Sequence, residues 1–361
     1  MKICIVVDNL NESSGWGRLA KKLGSSLTKK GNNVGFVTRA GDHDSHQVLL
    51  INLRNLSVLK PVVFLLTLYK IRKFSKQFDK VFCFDINPYG ILVSAALFGT
   101  RIPVVIYSLG SYSLLPKNLF RNILIRITYS CSYKIVVVSE FVRKQIKESG
   151  LNLKKASILP VGVDTDFFSP VQCRPREISK CYIVGVGAIK YRKGFHLSIE
   201  AFALIAEEFP ELQYIIVGYL PEDKYGRGIT NKVKELGLEN RVLFLGTVSD
   251  EELRSLYTFA TFFILTPITS PDAIEGFGMV YLEAASCGIT AVGTKNTGAE
   301  AAIVDGETGI IVDPVPGTVA EAMRTLIINN NMRIRMAKAA KLRARVFSWD
   351  NIADDLMKIL S

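Results

Sequence analysis

The sequence predicts an α/β protein made of two doubly wound domains, and three observations predict it. The chain has 361 residues, enough for two ordinary hydrophobic cores. Short β-branched runs alternate with longer amphipathic stretches from one end to the other, the pattern of parallel strands joined by crossover helices. Midway lies "PVGVDTDFFSPVQCRPREISK", residues 160–180, whose three prolines and mixed charge fit a linker rather than the interior of an element. The domains are therefore set at residues 1–170 and 176–345.

In the first domain strands are expected near residues 2–7, 34–38, 80–85, 103–107, 134–139 and 156–160. In the second they are expected near 182–187, 213–218, 241–246, 261–265, 289–293 and 309–312. The opening "ICIVVDNL" has only five apolar residues before Asp8, too few for a signal-peptide core, and it reads as the first strand. The longest apolar run, "PVVFLLTLY" at 61–69, falls well short of the roughly 20 residues that cross a bilayer, so no transmembrane span is expected. Ligands of doubly wound sheets bind outside the carboxyl ends of the strands, and two such sheets facing each other would make a cleft between them.

Composition narrows the chemistry. Cys4, Cys83, Cys131, Cys173, Cys181 and Cys287 are scattered without a C-x-x-C pair, which suits reduced thiols in a cytoplasmic protein. Only three histidines are present, His43, His46 and His196, so no metal site is expected. Residues 1–175 hold 25 Lys and Arg against 10 Asp and Glu, a net +15, whereas residues 176–361 carry a net −3. Such one-sided charge points to an anionic partner of the first half: a membrane surface, a nucleic acid or an acidic substrate.

The stretch "PDAIEGFGMVYLEAASCGI", residues 271–289, carries the most chemistry. It follows the apolar run "FFILTP", turns through "EGFG" and continues as a helix that Gly288 would cap. A turn entering a helix presents free N–H groups and the positive end of the helix dipole to phosphate or sugar oxygens. Gly276 and Gly278 would let a ligand approach the backbone, with Phe277 and Met279 between and beside them. Glu275 precedes the turn and Glu283 lies in the helix, its Cα roughly 7 Å along the axis. Glu283 is thus placed to hold a diol such as a ribose while Glu275 meets hydroxyls at the other end of a nucleotide-sugar. Read singly, Glu275 is more simply a first-turn charge and Glu283 a solvated helix residue. As a pair they could also be the acid and nucleophile of a glycoside hydrolase, which leaves the glycine-rich turn unexplained.

Other motifs carry less. "SSGWGRLA", residues 13–20, spells G-x-G-x-x-A with Gly15, Gly17 and Ala20, but the loop from Asp8 is long for a dinucleotide site and Arg39 stands where an acidic residue is expected. Two D-x-D strings, Asp42–Asp44 and Asp164–Asp166, fall in a polar loop and in the linker and read as coincidental. Lys70, Lys73 and Lys76, and Lys117, Arg121 and Arg126, accompany apolar stretches at helical spacing. They fit either an anionic leaflet or core faces flanked by solvated charge. No aromatic-basic interleaving or reading module suggests nucleic acid.

"EGFGMVYLE", taken in order with "GWGRLAKKL", "VVVSEFVRKQIKESG", "LPVGVDTDFFSP", "VGVGAIKYRKGFHLSIEAF", "ENRVLFLG", "TGAEAAIVDGETGIIV" and "FSWDNIA", resembles a known family over nearly the whole chain. The family is the retaining, E-x7-E glycosyltransferases of the glycogen-synthase-like glycosyl transferases group 1. The resemblance implies the GT-B fold, two Rossmann-like domains facing across a cleft, with an acceptor-binding domain first and a nucleotide-sugar domain second. Residues 346–361 would form a helix crossing back to the first domain and part of a hinge.

It also implies roles for residues. Glu275 is the catalytic residue, orienting the donor sugar and stabilising charge at its anomeric carbon, and Glu283 holds the ribose. Lys193 sits at the family's diphosphate lysine; the arginine position is Ala188, and Arg192 is the candidate replacement. Gly15 and Gly17 would face the donor phosphates. Leu109 stands where many members have a histidine, and Glu300 matches a glutamate near the donor pocket. No cofactor or metal is expected. The expected activity is transfer, with retained configuration, from a nucleoside diphosphate sugar to a hydroxyl of a glycan or lipid-linked acceptor in polysaccharide biosynthesis. The location would be cytoplasmic, extending to the inner face of the membrane. A nucleotide-sugar epimerase and a non-catalytic binding module are the alternatives.

Overall fold

The computed structural model describes residues 1–11, 14–39, 47–50, 61–151, 153, 156–174 and 178–361. The string Asp42–Asp44, with His43 and His46, lies outside the described residues. The chain divides into two compact units, residues 1–162 with 349–361, and residues 163–348.

The first unit is built on a parallel sheet. Its strands are β1 (Lys2–Val6), β2 (Asn33–Thr38), β3 (Gln47–Leu50), β4 (Lys80–Phe84), β5 (Val104–Ser108), β6 (Lys134–Val137) and β7 (Ser157–Ile158), in the order β3-β2-β1-β4-β5-β6-β7. Ile3 pairs with Val34 on one side and Lys80 on the other, so β1 lies in the middle, where the order of strands reverses. The crossovers include α1 (Gly15–Lys29), α2 (Pro61–Ser75), α3 (Ile91–Ala96), α4 (Leu119–Cys131) and α5 (Glu140–Glu148). Helix α1 starts because the Ser14 hydroxyl accepts from the Gly17 N–H, and it buries Leu19, Leu23 and Leu27, four apart on one face. Gly24 on that face lets the Phe36 ring lie against the helix, where a Cβ would overlap it.

Six strands are expected here from the sequence and seven are present among the described residues. The addition is β3, paired among those residues with β2.

The second unit repeats the plan with β8 (Tyr182–Val186), β9 (Gln213–Val217), β10 (Val242–Gly246), β11 (Phe263–Ile264), β12 (Ala291–Thr294) and β13 (Gly309–Val312), ordered β10-β9-β8-β11-β12-β13. All five residues of β8 are buried, as expected of a strand covered on both faces. Helices α6 (Phe195–Ala206), α7 (Lys224–Glu235), α8 (Asp250–Phe259), α9 (Met279–Ser286), α10 (Ala299–Ala302), α11 (Pro316–Ile328) and α12 (Asn330–Val346) complete it. No helix among the described residues is long and apolar enough to cross a membrane. All six cysteines are free, and Cys4, Cys83 and Cys287 are buried.

Helix α13 (Trp349–Leu360) then rejoins the first unit. It buries Ile352, Ala353, Leu356 and Leu360. Asp350 accepts from the Ser26 hydroxyl at 2.8 Å, and Asp354 pairs with Lys30 at 2.7 Å. The Trp349 indole lies directly against Gly162, where a Cβ would overlap the ring. Trp349→Ala should therefore destabilise the first unit by about 3 to 5 kcal/mol, the usual cost of emptying a large aromatic site. Urea unfolding followed by circular dichroism measures it, and a loss below about 1 kcal/mol would mean that the indole is not part of that core.

Candidate functional site

In the second unit the residues of the 275–283 stretch gather at the carboxyl ends of the strands. After β11 the chain runs through Thr266 to Glu275, turns through Gly276, Phe277 and Gly278, and enters α9. Gly278 has φ +82°, a left-handed conformation that favours glycine, and no side chain caps the helix it begins. The Tyr281 N–H turns back to the Gly278 carbonyl at 3.0 Å, and with no side-chain cap the start of α9 can still receive a ligand oxygen. Phe277 is buried and packs edge-on against Phe347, so it anchors the turn from beneath. Met279 is half-buried at the first helical position. On the far side, the Gly298 N–H donates to the Glu275 carbonyl at 2.8 Å, and a Cβ on Gly298 would collide with Gly276 and Phe277. Glu300, in the short helix that follows, is exposed.

The basic turn after β8 reaches the same place. Tyr191–Lys193 form a single 3-10 turn, followed by Gly194 at φ +69°. A Cβ on Gly194 would overlap the Thr266 carbonyl, and the Thr266 hydroxyl donates to the Gly194 carbonyl at 2.7 Å. The close approach brings Lys193 and Arg192 onto Glu275. Lys193 Nζ lies 2.9 Å from Glu275 Oε2, and an Arg192 guanidinium nitrogen donates to the same oxygen. Glu275 and Lys193 are buried, whereas the Arg192 side chain is 32% exposed. Ala188 is exposed.

Burial alone would raise the Glu275 carboxyl, but the Lys193 and Arg192 charges outweigh it and hold the group below the ordinary carboxylate range. Burial likewise lowers Lys193, opposed by Glu275 and, more distantly, Glu283. From the sequence these three side chains belong to different parts of a ligand; the structure joins them in one ion cluster.

Glu283 is 3% exposed on α9, and the Tyr257 hydroxyl of α8 donates to its Oε2 at 3.2 Å. Neither acid points into bulk water. Tyr257 carries no signal in the sequence, where nothing links it to a residue 26 positions away.

In the first unit Gly15 is open, and a Cβ there would meet no heavy atom within 4 Å. Gly17 is buried against Asn9 and Asn11, which occupy the space a Cβ would need. The chain itself thus uses the close approach at Gly17. Arg39 is bound to Asp8 through Nε and Nη2 at 3.2 and 3.1 Å. Leu109 contributes its backbone N–H to Asp85 at 2.9 Å. In the linker, Asp164 accepts from the Phe167 N–H at 3.1 Å and organises a turn. Among the described residues no group of three or more His, Cys, Asp and Glu is placed to hold a metal ion.

Comparison with known proteins adds a family to this geometry. Residues 176–343 match the family described as glycosyl transferases group 1, and residues 13–167 match glycosyltransferase family 4. A D-inositol 3-phosphate glycosyltransferase of Corynebacterium urealyticum is 31% identical over 232 residues, covering 59% of this chain and 53% of that protein. A GDP-mannose-dependent alpha-(1-6)-phosphatidylinositol monomannoside mannosyltransferase of Mycolicibacterium smegmatis is 30% identical over 227 residues, covering 60% and 58%. The chain thus spans between half and three fifths of the length of these relatives. Among solved structures, Anabaena Alr3699/HepE in complex with UDP and glucose superposes with a TM-score of 0.81, at 19% identity, over 100% of this chain and 99% of that one. That likeness shows the fold, the GT-B arrangement of two Rossmann-like domains expected from the sequence. The chain thus pairs a glycosyltransferase family 4 region, residues 13–167, with a glycosyl transferases group 1 region, residues 176–343.

Proposed function

We propose that the protein is a retaining, metal-independent glycosyltransferase that moves a sugar from a nucleoside diphosphate sugar to a hydroxyl of a glycan or lipid-linked acceptor. One observation carries the reading: a buried carboxylate, Glu275, is neutralised by Lys193 and Arg192 beside an uncapped helix start, with a second buried carboxylate, Glu283, in the same helix. Relatives named for glycosyl transfer, one of them dependent on GDP-mannose, and a fold neighbour solved with UDP and glucose support it. They favour transfer over epimerisation.

The chemistry follows from where charge develops. As the bond from the anomeric carbon to the diphosphate oxygen breaks, negative charge builds on the leaving group and positive charge on the sugar. Lys193, Arg192 and the α9 N–H groups offset the first, so the leaving group needs no metal ion. Glu275 stabilises the second. Without donor, Glu275 serves as counterion to the two cations; with donor, the diphosphate takes that place and the carboxylate turns to the sugar hydroxyls. The acceptor oxygen bonds to the anomeric carbon on the face the diphosphate leaves, and a departing phosphate oxygen takes its proton. Glu283 accepts hydrogen bonds from the ribose hydroxyls, its orientation fixed by Tyr257.

The acceptor is assigned to the basic first unit, at the inner face of a membrane. On α4 the side chains of Leu119, Phe120, Ile123 and Ile127 are 46% to 75% exposed, with Lys117 and Arg121 exposed beside them. An apolar stripe flanked by cations suits an anionic leaflet. Arg126 is not part of it, because its guanidinium is bound to Asn122 and to the Gly150 carbonyl.

Glu275→Ala should lower kcat by about 100-fold or more while donor affinity changes little, the mark of an interaction made mainly in the transition state. Near-normal turnover would remove Glu275 from the mechanism. Glu283→Ala should weaken binding of the nucleoside diphosphate by on the order of 1 to 3 kcal/mol in calorimetry; unchanged affinity would refute a ribose contact. Replacing both Phe120 and Ile123 by Asp should reduce flotation with anionic vesicles by about tenfold or more, since each loses the burial of a large apolar side chain. Flotation that is insensitive to the substitutions, to salt and to anionic lipid would count against a leaflet contact.

A further inference from the structure

The first unit carries a second cluster of unusual side chains, separate from the ion cluster around Glu275. Its sheet reverses direction of build-up at β1 and β4, with β2 and β3 added on one side and β5, β6 and β7 on the other. The carboxyl edge at such a switch point is where doubly wound sheets receive ligands. Asp8 follows β1 there, and Asp85 directly follows β4. Trp16, in the first turn of α1, and Tyr112, in the short turn after β5, bring their rings edge to face with centroids 5.4 Å apart at 75°. Tyr112 is 56% exposed and Trp16 is half-buried, so ring surface remains open.

Both turns are fixed in place. On the β1 side the Ser14 N–H donates to the Asn11 carbonyl at 3.0 Å, the Asn11 N–H to Asn9 Oδ1 at 3.1 Å, and Gly17 closes the packing. On the β5 side the buried Asp85 carboxylate accepts from the Leu109 N–H at 2.9 Å and from the Ser113 hydroxyl, while the Tyr129 hydroxyl donates to the Ser113 carbonyl at 3.1 Å. Asp85 adopts φ +58°, an uncommon conformation for a residue other than glycine, and its Oδ2 has no hydrogen-bond partner among the described residues. Burial pushes its carboxyl up to about 6, against the opposing hydrogen bonds from Ser113 and Leu109. Asp8, 29% exposed, is steadied by Arg39 and by the Tyr89 hydroxyl.

An aromatic pair held rigid at the ligand edge, with carboxylates at the adjoining strand ends, has the two properties a sugar ring needs. The apolar C–H face of a pyranose covers an aromatic surface, and its equatorial hydroxyls donate to acidic oxygens. We propose that Trp16 and Tyr112 form the stacking floor of an acceptor subsite that takes the sugar ring of a glycoside, with Asp8 as a hydrogen-bond acceptor for its hydroxyls. The acceptor is then itself a glycoside, free or lipid-linked, and Asp85 is a positioning residue that holds the Tyr112 loop. That the bound glycoside accepts a sugar rests on the proposed transfer activity, while its binding does not.

The chain has two tryptophans, and the other, Trp349, is 9% exposed, so a ligand-induced change in emission that is lost in Trp16→Phe reports on Trp16. The full chain is titrated with methyl glycosides of glucose, galactose and mannose up to about 100 mM, a range suited to weak single-ring binding. The same sugars as octyl glycosides below their micelle concentration form a second arm. A saturable change in emission with at least one glycoside is expected. It should vanish in Trp16→Phe, and the affinity, read from the same titration, should fall about tenfold or more in Tyr112→Ala, whose exposed side chain is not needed for folding. Asp85→Asn should weaken binding less at pH 5 than at pH 8, a pH dependence that a merely structural role would not produce. Tighter octyl than methyl glycosides marks a lipid-linked acceptor; equal affinities mark a free one. No response to any glycoside, or one that survives both aromatic substitutions, overturns the subsite. Calorimetry with UDP and GDP on the same samples keeps the readings apart. Glycoside binding without nucleotide binding sinks the transfer reading alone, and nucleotide binding without glycoside binding sinks the subsite alone.

Discussion

The site of the second unit depends on one electrostatic constraint: a carboxylate buried almost completely must be given cations or lose its charge. Glu275 satisfies that constraint with Lys193 and Arg192, and much of the local backbone exists to let it. Gly194 accepts contact with Thr266 so that the basic turn can reach, and Gly298 accepts contact with Gly276 and Phe277 so that the acidic turn stays put. The ion cluster is consequently a preformed arrangement of charge.

The same constraint bears on the position of Ala188, where the resemblance places an arginine. Four residues on, Arg192 directs its guanidinium at the Glu275 carboxylate. A charge that must be near a fixed point can be supplied from a neighbouring turn, provided the turn is rigid, and here the left-handed Gly194 makes it so.

Much of this is legible in the chain. The strands that bury both faces appear as continuous apolar runs, and their positions follow from those runs to within a few residues. β3 escapes because it is four residues long and follows a polar stretch, so its hydrophobic signal is short. Glu275, Glu283, Lys193 and Arg192 are legible from type and spacing around the glycines. Their mutual pairing is not, since 83 residues separate Arg192 from Glu275 and only the tertiary fold closes that distance. Tyr257 gives no signal for the same reason. Arg126 shows the converse: periodicity places it on a basic face, but its planar fork finds backbone and amide acceptors within its own unit.

The return of α13 to the first unit has a bearing on how the molecule is made. Ser26 and Lys30 wait for Asp350 and Asp354, and Gly162 waits for Trp349, all of which leave the ribosome only after the whole of the second unit. During synthesis the earlier half therefore stands with an apolar groove uncovered while the later half folds. That groove closes only once residues 349–360 have been made, and a chain cut short before residue 349 would leave it open to other nascent chains.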